Sequence, residues 1–303
     1  MSPAAVIKNV VLIGAGGNLG SMILSALLAS KEFKVTVLTR PTSTATFPAD
    51  LSVIRASYTE DELVKAFHGQ DAVVSAVGAM GFADQKVFID AAIKAGVKRF
   101  LPAEYSSNTL SEAVRELVPV FEAKKVILDY LKQNEKTGLT WTGLAVGPLL
   151  DWGLANGFFG FDIANKTAEI WDGGNVPFSA TNRADFGRAV ASTLKHPAET
   201  ANQFLYVATV TTTQKDILKA FEAASGQKWT VRDVKTDDQI ATGRKMVSEG
   251  DFNGMLTLVR ASAWGTYLGI RTNYPVDEKL ANAVLEIPNG SLDDTVKAVL
   301  SSA

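Results

Sequence analysis

The feature that most constrains the fold is an apolar run followed by three regularly spaced glycines near the start of the chain. Residues 10–13 are all apolar, which is typical of a parallel strand covered on both faces. Glycines follow at every third position, and residues 22–30 have a helix-forming composition. In a strand–turn–helix unit of this kind, the glycines let the backbone approach a pyrophosphate, which the amides of the new helix bind. The predicted pyrophosphate contacts are Gly14, Gly17, Asn18, Leu19 and Gly20. The alternative is a glycine-rich turn that binds nothing.

The end of the second predicted strand, residues 34–40, bears on which dinucleotide is bound. An acidic residue about twenty positions after the glycines binds the ribose 2′-hydroxyl of NAD, whereas an arginine there accommodates the 2′-phosphate of NADP. This strand ends in Arg40, with Thr42 and Ser43 close behind and no acidic residue before Asp50. A guanidinium and two hydroxyls suit a phosphate, so the sequence favours NADP(H) over NAD(H). The alternative is a solvated arginine at a strand end.

Strands alternate with helices up to about residue 150, which predicts an α/β fold with a Rossmann-type, doubly wound parallel sheet. Further strands are predicted over 52–56, 71–77, 99–105, 139–146 and 203–208. The carboxyl end of the fourth strand is expected beside that of the first, so Ser75, Ala76, Val77 and Gly78 are predicted to flank the cofactor. We therefore predict an NADP-binding Rossmann domain over 1–150. A smaller C-terminal α/β substrate lobe is predicted over 151–303, with segments at about 183–210 returning to the sheet.

Composition limits the classes of function. The 303 residues carry a net charge of −2 with both signs mixed along the chain, which does not favour direct nucleic-acid binding. Residues 1–7 hold no charged segment, and no apolar run reaches the roughly 18 residues of a membrane span. A cytoplasmic protein is the expectation. The two histidines are far apart and there is no cysteine, so no metal site is expected.

A candidate proton donor lies on the helix predicted over 120–133. None of the six tyrosines has a lysine four positions later, so the tyrosine–lysine pair of short-chain dehydrogenases is absent. At about 100° per residue, Lys124 falls inside the apolar arc of this helix, whereas Lys125 falls on the polar side. Partial burial would lower the pKa of the Lys124 ammonium toward a useful range. The alternative is a lysine whose stem covers apolar surface while its amine reaches water.

Several stretches together resemble the NmrA-like and isoflavone-reductase-like family of atypical short-chain dehydrogenases. This family includes phenylcoumaran benzylic ether and pinoresinol–lariciresinol reductases. The matching stretches are residues 14–20, 35–40, 84–85, 91–105, 120–125, 147–148 and 183–188. The resemblance implies that Lys124 is the catalytic lysine near the nicotinamide, and that Gln85, Gly147, Pro148 and Leu149 belong to the cofactor site. Members usually have serine at the position of Ala103 and often phenylalanine–glycine at Tyr105–Ser106. Either Tyr105, or Ser106 and Ser107, compensate for the lost hydroxyl, or these residues merely shape a loop.

The predicted function is an NADPH-dependent reductase that transfers a hydride to a small hydrophobic, aromatic or phenolic substrate. The bond reduced would be C=C, C=O or a benzylic ether. Substrate contacts are predicted at Tyr105, Trp152, Phe158, Phe159 and Phe178; the alternative is that these aromatic side chains form the core of the small lobe. The rival function is an NADP(H)-binding redox sensor of the NmrA type, which acts through a protein partner.

Three local features complete the predictions. Thr59 is predicted to cap a helix, with Glu62 completing a capping box. Residues 168–174 resemble a hairpin strand with its turn. Asp151 is either a polar contact for the substrate or a helix cap.

Overall fold

The computed structural model describes residues 6–302, so most of the 1–7 segment considered above lies outside it. Its centre is a sheet of seven parallel strands in the order β3-β2-β1-β4-β5-β6-β10. The strands of this sheet are β1 (Asn9–Ile13), β2 (Lys34–Thr39), β3 (Ser52–Arg55), β4 (Ala72–Ser75), β5 (Arg99–Leu101), β6 (Thr140–Ala145) and β10 (Gln203–Tyr206). This order is the doubly wound arrangement expected of a dinucleotide-binding fold, and the fold-class prediction is confirmed.

The central strand β1 lies between β2 and β4, with Val10 opposite both Val35 and Ala72. Its residues from Val10 to Ile13 are 0 % exposed, because helices cover both faces of the sheet. The prediction for β1 is one residue short, and the other six predicted strands extend one to four residues beyond the observed ones. Most of the excess lies at the carboxyl ends, where the backbone turns into the loops of the cleft.

Helices cover the two faces of the sheet and build the second lobe. They are α1 (Asn18–Ser30), α2 (Glu60–Phe67), α3 (Gln85–Lys94), α4 (Glu112–Leu117), α5 (Glu122–Gln133), α6 (Leu150–Ala155), α7 (Arg183–Lys195), α8 (Gln214–Ser225), α9 (Thr236–Ser248), α10 (Asn253–Trp264), α11 (Tyr274–Asp277) and α12 (Leu292–Ser301). Helices α1 and α7 pack on one face of the sheet, and α2, α3 and α5 pack on the other. No helix within residues 6–302 is long and apolar enough to cross a membrane.

The second lobe has its own core and two small sheets. Strands β7 (Phe161–Asp162), β8 (Thr167–Trp171) and β12 (Thr230–Val234) form one sheet, and β9 (Phe178–Ala180) with β11 (Val210–Thr212) forms the other. Because β10 lies in the central sheet, the chain crosses between lobes more than once after residue 150. The division of domains at that residue stays a prediction.

Two local predictions are wrong. Asp172–Gly174 does not close a hairpin after β8, because β8 pairs antiparallel with the preceding β7 and parallel with β12. Thr59 precedes α2 but its side chain accepts no capping hydrogen bond, and the Glu62 carboxylate instead accepts from the amide and hydroxyl of Ser57. Ser291 caps the last helix by accepting from the amide of Asp294.

Candidate functional site

A cleft of about 850 Å³ opens at the carboxyl ends of β1, β2 and β4. Most of the predicted cofactor residues of the first 80 positions line it. They are Gly14, Gly17, Arg40, Thr42, Ser43, Ala76, Val77 and Gly78. Ser75 does not, since it is wholly buried at the end of β4, and Asn18, Leu19 and Gly20 at the start of α1 do not line it either. Tyr58 and Phe252 line the cleft without having been predicted; Phe252 lies between α9 and α10, and no local pattern links that connection to β1.

The glycine turn leaves no space for side chains. Gly14 has a φ of +83°, and a Cβ there would lie 2.6 Å from the carbonyl oxygen of Ala76. A Cβ on Gly20 would overlap the carbonyl of Gly14, so α1 begins in direct contact with the turn. Gly17 is the N-cap of α1 and has no side chain to bind its first amides, including those of Asn18 and Leu19. These amides lie at the end of α1 that begins at the cleft, an arrangement that fits the pyrophosphate of a dinucleotide.

The arm after β2, which consists of residues 40–43, supplies a cationic group to the cleft. Arg40 is exposed, and the amide of Ser43 donates to its carbonyl oxygen at 3.0 Å, which closes a tight turn. The guanidinium of Arg55 donates to the carbonyl of Ser43 at 2.8 Å and steadies this turn from β3. The guanidinium of Arg40 and the hydroxyls of Thr42 and Ser43 thus lie on one short arm, as a 2′-phosphate requires.

Lys124 lies on α5 with its amine buried, and its side chain is 6 % exposed. Its Nζ donates to the carbonyl oxygen of Glu104 at 2.5 Å and to Oγ of Ser106 at 3.1 Å. The rings of Phe82 and Phe121 lie 4.9 and 5.1 Å from the ammonium. Burial lowers the pKa of Lys124 to about 8, and the nearby Glu104 carboxyl acts in the opposite direction. The apolar arc therefore indicated burial correctly, and the alternative of a solvated amine is excluded for this structure.

Glu104 is a second buried ionisable group that the sequence reasoning did not single out. Its Oε2 accepts from the hydroxyl of Thr109 at 2.7 Å, whereas Oε1 has no hydrogen-bond partner among the described residues. Burial raises the pKa of the Glu104 carboxyl. No sequence pattern predicts the burial of Glu104, because the burial arises where the loop after β5 packs against Gly143 of β6.

The Gly147–Pro148 turn lies against the loop after β5, at Ser106. The amides of Val146 and Gly147 donate to the carbonyl oxygen of Ser106 at 3.1 and 3.2 Å. Gly147 has a φ of +61°, and a side chain there would overlap the carbonyl of Ser179. Leu149 follows the turn and is 9 % exposed. The structure thus joins the predicted nicotinamide-end turn to Ser106, which also accepts a hydrogen bond from Lys124.

Gln85 has a structural role in holding this loop. Its Oε1 accepts from the amide of Ala103 at 2.8 Å, and its Nε2 donates to the carbonyl of Phe82. The side chain is 1 % exposed and does not line the cleft, so its assignment as a direct cofactor contact is corrected.

The predicted substrate residues divide into two groups. Phe159 and Phe178 are 0 % exposed and stack with Trp264 in the core of the second lobe, which corrects their assignment as substrate contacts. Trp152 and Phe158 are half-buried, with ring centroids 6.2 Å apart, and keep surface that a ligand could contact.

Tyr105 and Asp151 also have partners within the protein. The Tyr105 ring is buried 5.3 Å from that of Phe186, although its hydroxyl has no partner among residues 6–302. Asp151 accepts from the amide of Arg183 at 3.0 Å and pairs with its guanidinium. The helix-cap alternative for Asp151 therefore describes the structure.

Comparison with known proteins now gives the family. The sequence profile of the NmrA-like family matches residues 7–249. The chain belongs to the NmrA-like family. It is 36 % identical over 300 residues to the oxidoreductase aprR of Aspergillus flavus, which covers 96 % of this chain and 98 % of that protein. Such a match over nearly the full length identifies this NmrA-like protein as an oxidoreductase.

Solved structures share its fold. AtPrR2 with NADP+ and (+)pinoresinol superposes with a TM-score of 0.77 at 21 % identity, covering 97 % of this chain and 99 % of that one. The leucoanthocyanidin reductase–NADPH complex from Vitis vinifera gives a TM-score of 0.77 at 17 % identity, covering 97 % of this chain and 100 % of the other. At these identities the matches show the fold alone.

Proposed function

We propose that this NmrA-like protein is an NADPH-dependent reductase of small hydrophobic substrates that carry an aromatic or phenolic group. The observation that carries the proposal is the placement of the buried Lys124 ammonium beside the Gly147–Pro148 turn, at the sheet edge where the glycine turn and Arg40 lie. A phosphate cradle and a desolvated proton donor at one edge of a sheet are the two parts that hydride reduction requires.

Different residues bind different parts of the cofactor. Amides at the start of α1, with Gly14 and Gly17, hold the pyrophosphate; Arg40, Thr42 and Ser43 hold the 2′-phosphate; and Gly147, Pro148 and Leu149 position the nicotinamide end. When bound, the dinucleotide supplies a hydride. Lys124 supplies the matching proton, directly or through a group that it touches.

The substrate class is supported by what surrounds the ammonium. Phe82 and Phe121 place aromatic faces around Lys124. A separate pair of half-buried rings, Trp152 and Phe158, follows the Gly147–Pro148 turn in the chain. An apolar site with few polar groups suits an aromatic acceptor. The fold match to a protein that holds pinoresinol, itself an aromatic molecule, agrees with this class.

The test is NADPH oxidation, followed by absorbance, against a panel of quinones, aryl enones, aryl ketones and benzylic ethers. Turnover of at least one class, with product identified by mass spectrometry, supports the proposal. Tight NADPH binding without oxidation by any member would refute the reductase and leave a binding function.

Arg40→Asp is expected to reverse the dinucleotide preference. Loss of a charge-assisted contact should weaken NADPH binding about 10–100-fold, matching the roughly 1.5–3 kcal/mol of a hydrogen bond to a charged group. NADH, which lacks the 2′-phosphate, should bind as well as or better than before. Isothermal titration with both dinucleotides measures the change.

Lys136→Asp is the control, since Lys136 is exposed just before β6, at the opposite end of the sheet. It brings the same change in net charge without touching the cleft. Unchanged NADPH affinity in Arg40→Asp would remove the 2′-phosphate assignment.

A further inference from the structure

We propose that the hydroxyl of Ser106 is a catalytic group that passes a proton to the substrate and recovers it from Lys124. The proposal rests on the reductase function above. Ser106 Oγ accepts a hydrogen bond from Lys124 Nζ at 3.1 Å, so a proton can move between the two atoms without rearrangement of the backbone.

Burial favours Ser106 over Lys124 as the group that meets the substrate. The ammonium lies between two phenylalanine rings and donates inward to the carbonyl of Glu104. Ser106 is half-buried whereas Lys124 is 6 % exposed, so Ser106 is the more accessible residue of the pair. Among the side chains that the structure describes, Ser106 is the one that accepts a hydrogen bond from Lys124.

The position of Ser106 is fixed while its proton is free to turn. Its backbone forms a bridge with Ala145, and its carbonyl accepts the amides of Val146 and Gly147. The hydroxyl has a single, long contact as a donor, 3.4 Å to the carbonyl of Ser107. A weak bond of this length is easily exchanged for one to a substrate oxygen.

The step balances for a carbonyl-bearing acceptor. The carbonyl carbon, or the β-carbon of an enone, gains a C–H bond from the hydride, and the π electrons move to oxygen. That oxygen takes the proton of Ser106 Oγ as the O–H bond breaks. Ser106 takes a proton from Lys124 Nζ, and the neutral amine is protonated again by water. The substrate is reduced by two electrons and the dinucleotide is oxidised by two.

Ser106→Ala and Ser106→Thr test the relay in the full-length protein with NADPH and the acceptor found above. Alanine should lower kcat by about 10²-fold, within the usual range for loss of a general acid, with little change in the affinity for NADPH. Threonine keeps the hydroxyl and should restore most of the activity. Ser107→Ala is the matched control, because this neighbouring serine makes no contact with Lys124 among the described hydrogen bonds. It should keep the wild-type kcat.

A second readout needs no cofactor. In protein labelled with ¹³C at lysine Cε, the resonance of Lys124 is assigned by its absence in Lys124→Met and titrated by NMR. Ser106→Ala should lower the Lys124 pKa, since the ammonium loses an acceptor, whereas Ser107→Ala should not. Glu104 is the titratable group acting on this amine; the other side chains against it, Phe82 and Phe121, do not titrate.

The outcomes separate the two proposals. Wild-type kcat in Ser106→Ala, or a Lys124 titration unmoved by that change, overturns the relay and leaves the reductase intact. If the wild-type protein oxidises NADPH with none of the acceptors in the panel, the reductase is refuted, and the relay fails with it.

Discussion

Replacing Lys124 with methionine is expected to lower turnover by about 10²–10⁴-fold while NADPH affinity stays within a few-fold, the range for removing a general acid. Methionine fills similar space between Phe82 and Phe121 but can neither donate to Ser106 nor supply a proton. Steady-state kinetics with a separate NADPH titration distinguish a loss of chemistry from a loss of binding.

Lys125→Met is the matched control for this change. Lys125 is the next residue on α5, but it lies on the polar face and pairs with Asp129 at 2.6 Å. Its replacement should leave kcat near the wild-type value. Equal losses in the two variants would mean that the Lys124 effect is one of helix stability, and an unchanged rate in Lys124→Met would eliminate the assignment.

The pH dependence of the reaction follows from the same burial. The ammonium is the proton-donating form, and burial lowers its pKa to about 8, so kcat should fall as pH rises through that value. The unfolded chain keeps the ordinary lysine pKa of 10.5 and so binds more protons between pH 8 and 10.5. The cost of burying this charge is therefore fully present below pH 8 and disappears toward pH 10.5.

Urea unfolding of the wild type and of Lys124→Met checks this linkage. The methionine variant carries no buried charge, so its stability advantage should be greatest below pH 8 and shrink above it. An advantage that does not vary with pH would show that the amine is not desolvated in solution.

Replacing Arg99 with alanine is expected to lower the free energy of unfolding by about 3–5 kcal/mol, through a cavity and several unmade hydrogen bonds. Arg99 begins β5 and is 2 % exposed. Its guanidinium donates to the hydroxyls of Thr140, Thr142 and Thr200, at 2.8 to 3.0 Å, and to the carbonyl of Pro197 at 2.5 Å. These bonds join β5 and β6 to the segment that leads into β10.

Burial lowers the pKa of Arg99 to about 10, and no carboxylate within residues 6–302 offsets this effect. Arg99→Met should therefore lose less than alanine, about 1–3 kcal/mol, because it fills the space and removes the buried charge but leaves the carbonyl of Pro197 without a donor. Arg244→Ala, at an exposed position of α9, should change stability by less than about 0.5 kcal/mol. Urea denaturation gives the free energy of unfolding of all three variants. Equal stability of Arg99→Ala and the wild type would contradict a stabilising role for the Arg99 hydrogen bonds.

Two predictions agree with the structure because they rest on local patterns. The glycine spacing after the first apolar run predicted a strand, a turn and a helix, and backbone geometry alone decides that unit. The 3.6-residue period of the helix around Lys124 placed its amine inward for the same reason, since side-chain direction on a helix follows from position. Arg40 could be assigned to the cleft because it follows β2, which pairs parallel with β1, so both strands end at the same edge of the sheet.

Predictions failed where long-range packing decides. Phe159 and Phe178 have the composition of a ligand-binding surface, yet they are core residues because Trp264, about 86 to 105 positions away in the chain, stacks against them. The turn after β8 has the composition of a hairpin turn, but β8 pairs with β7 and β12. Phe252 lines the cleft at the carboxyl ends of β1, β2 and β4 with no sequence signal, since it lies between α9 and α10 in the second lobe.

The sequence by itself determined the strand–turn–helix unit at the glycine turn and the inward direction of Lys124, because each depends on spacing within a single strand, turn or helix. The alternation of strands and helices along the chain predicted the class of the sheet. Only the tertiary structure decided what meets the amine: the hydroxyl of Ser106, the buried carboxyl of Glu104 and the ring of Phe82. These groups come from two loops that precede α5 in the chain, and the parallel sheet brings the ends of their strands to one edge. Proximity of this kind depends on the order in which strands pair, which no local pattern records.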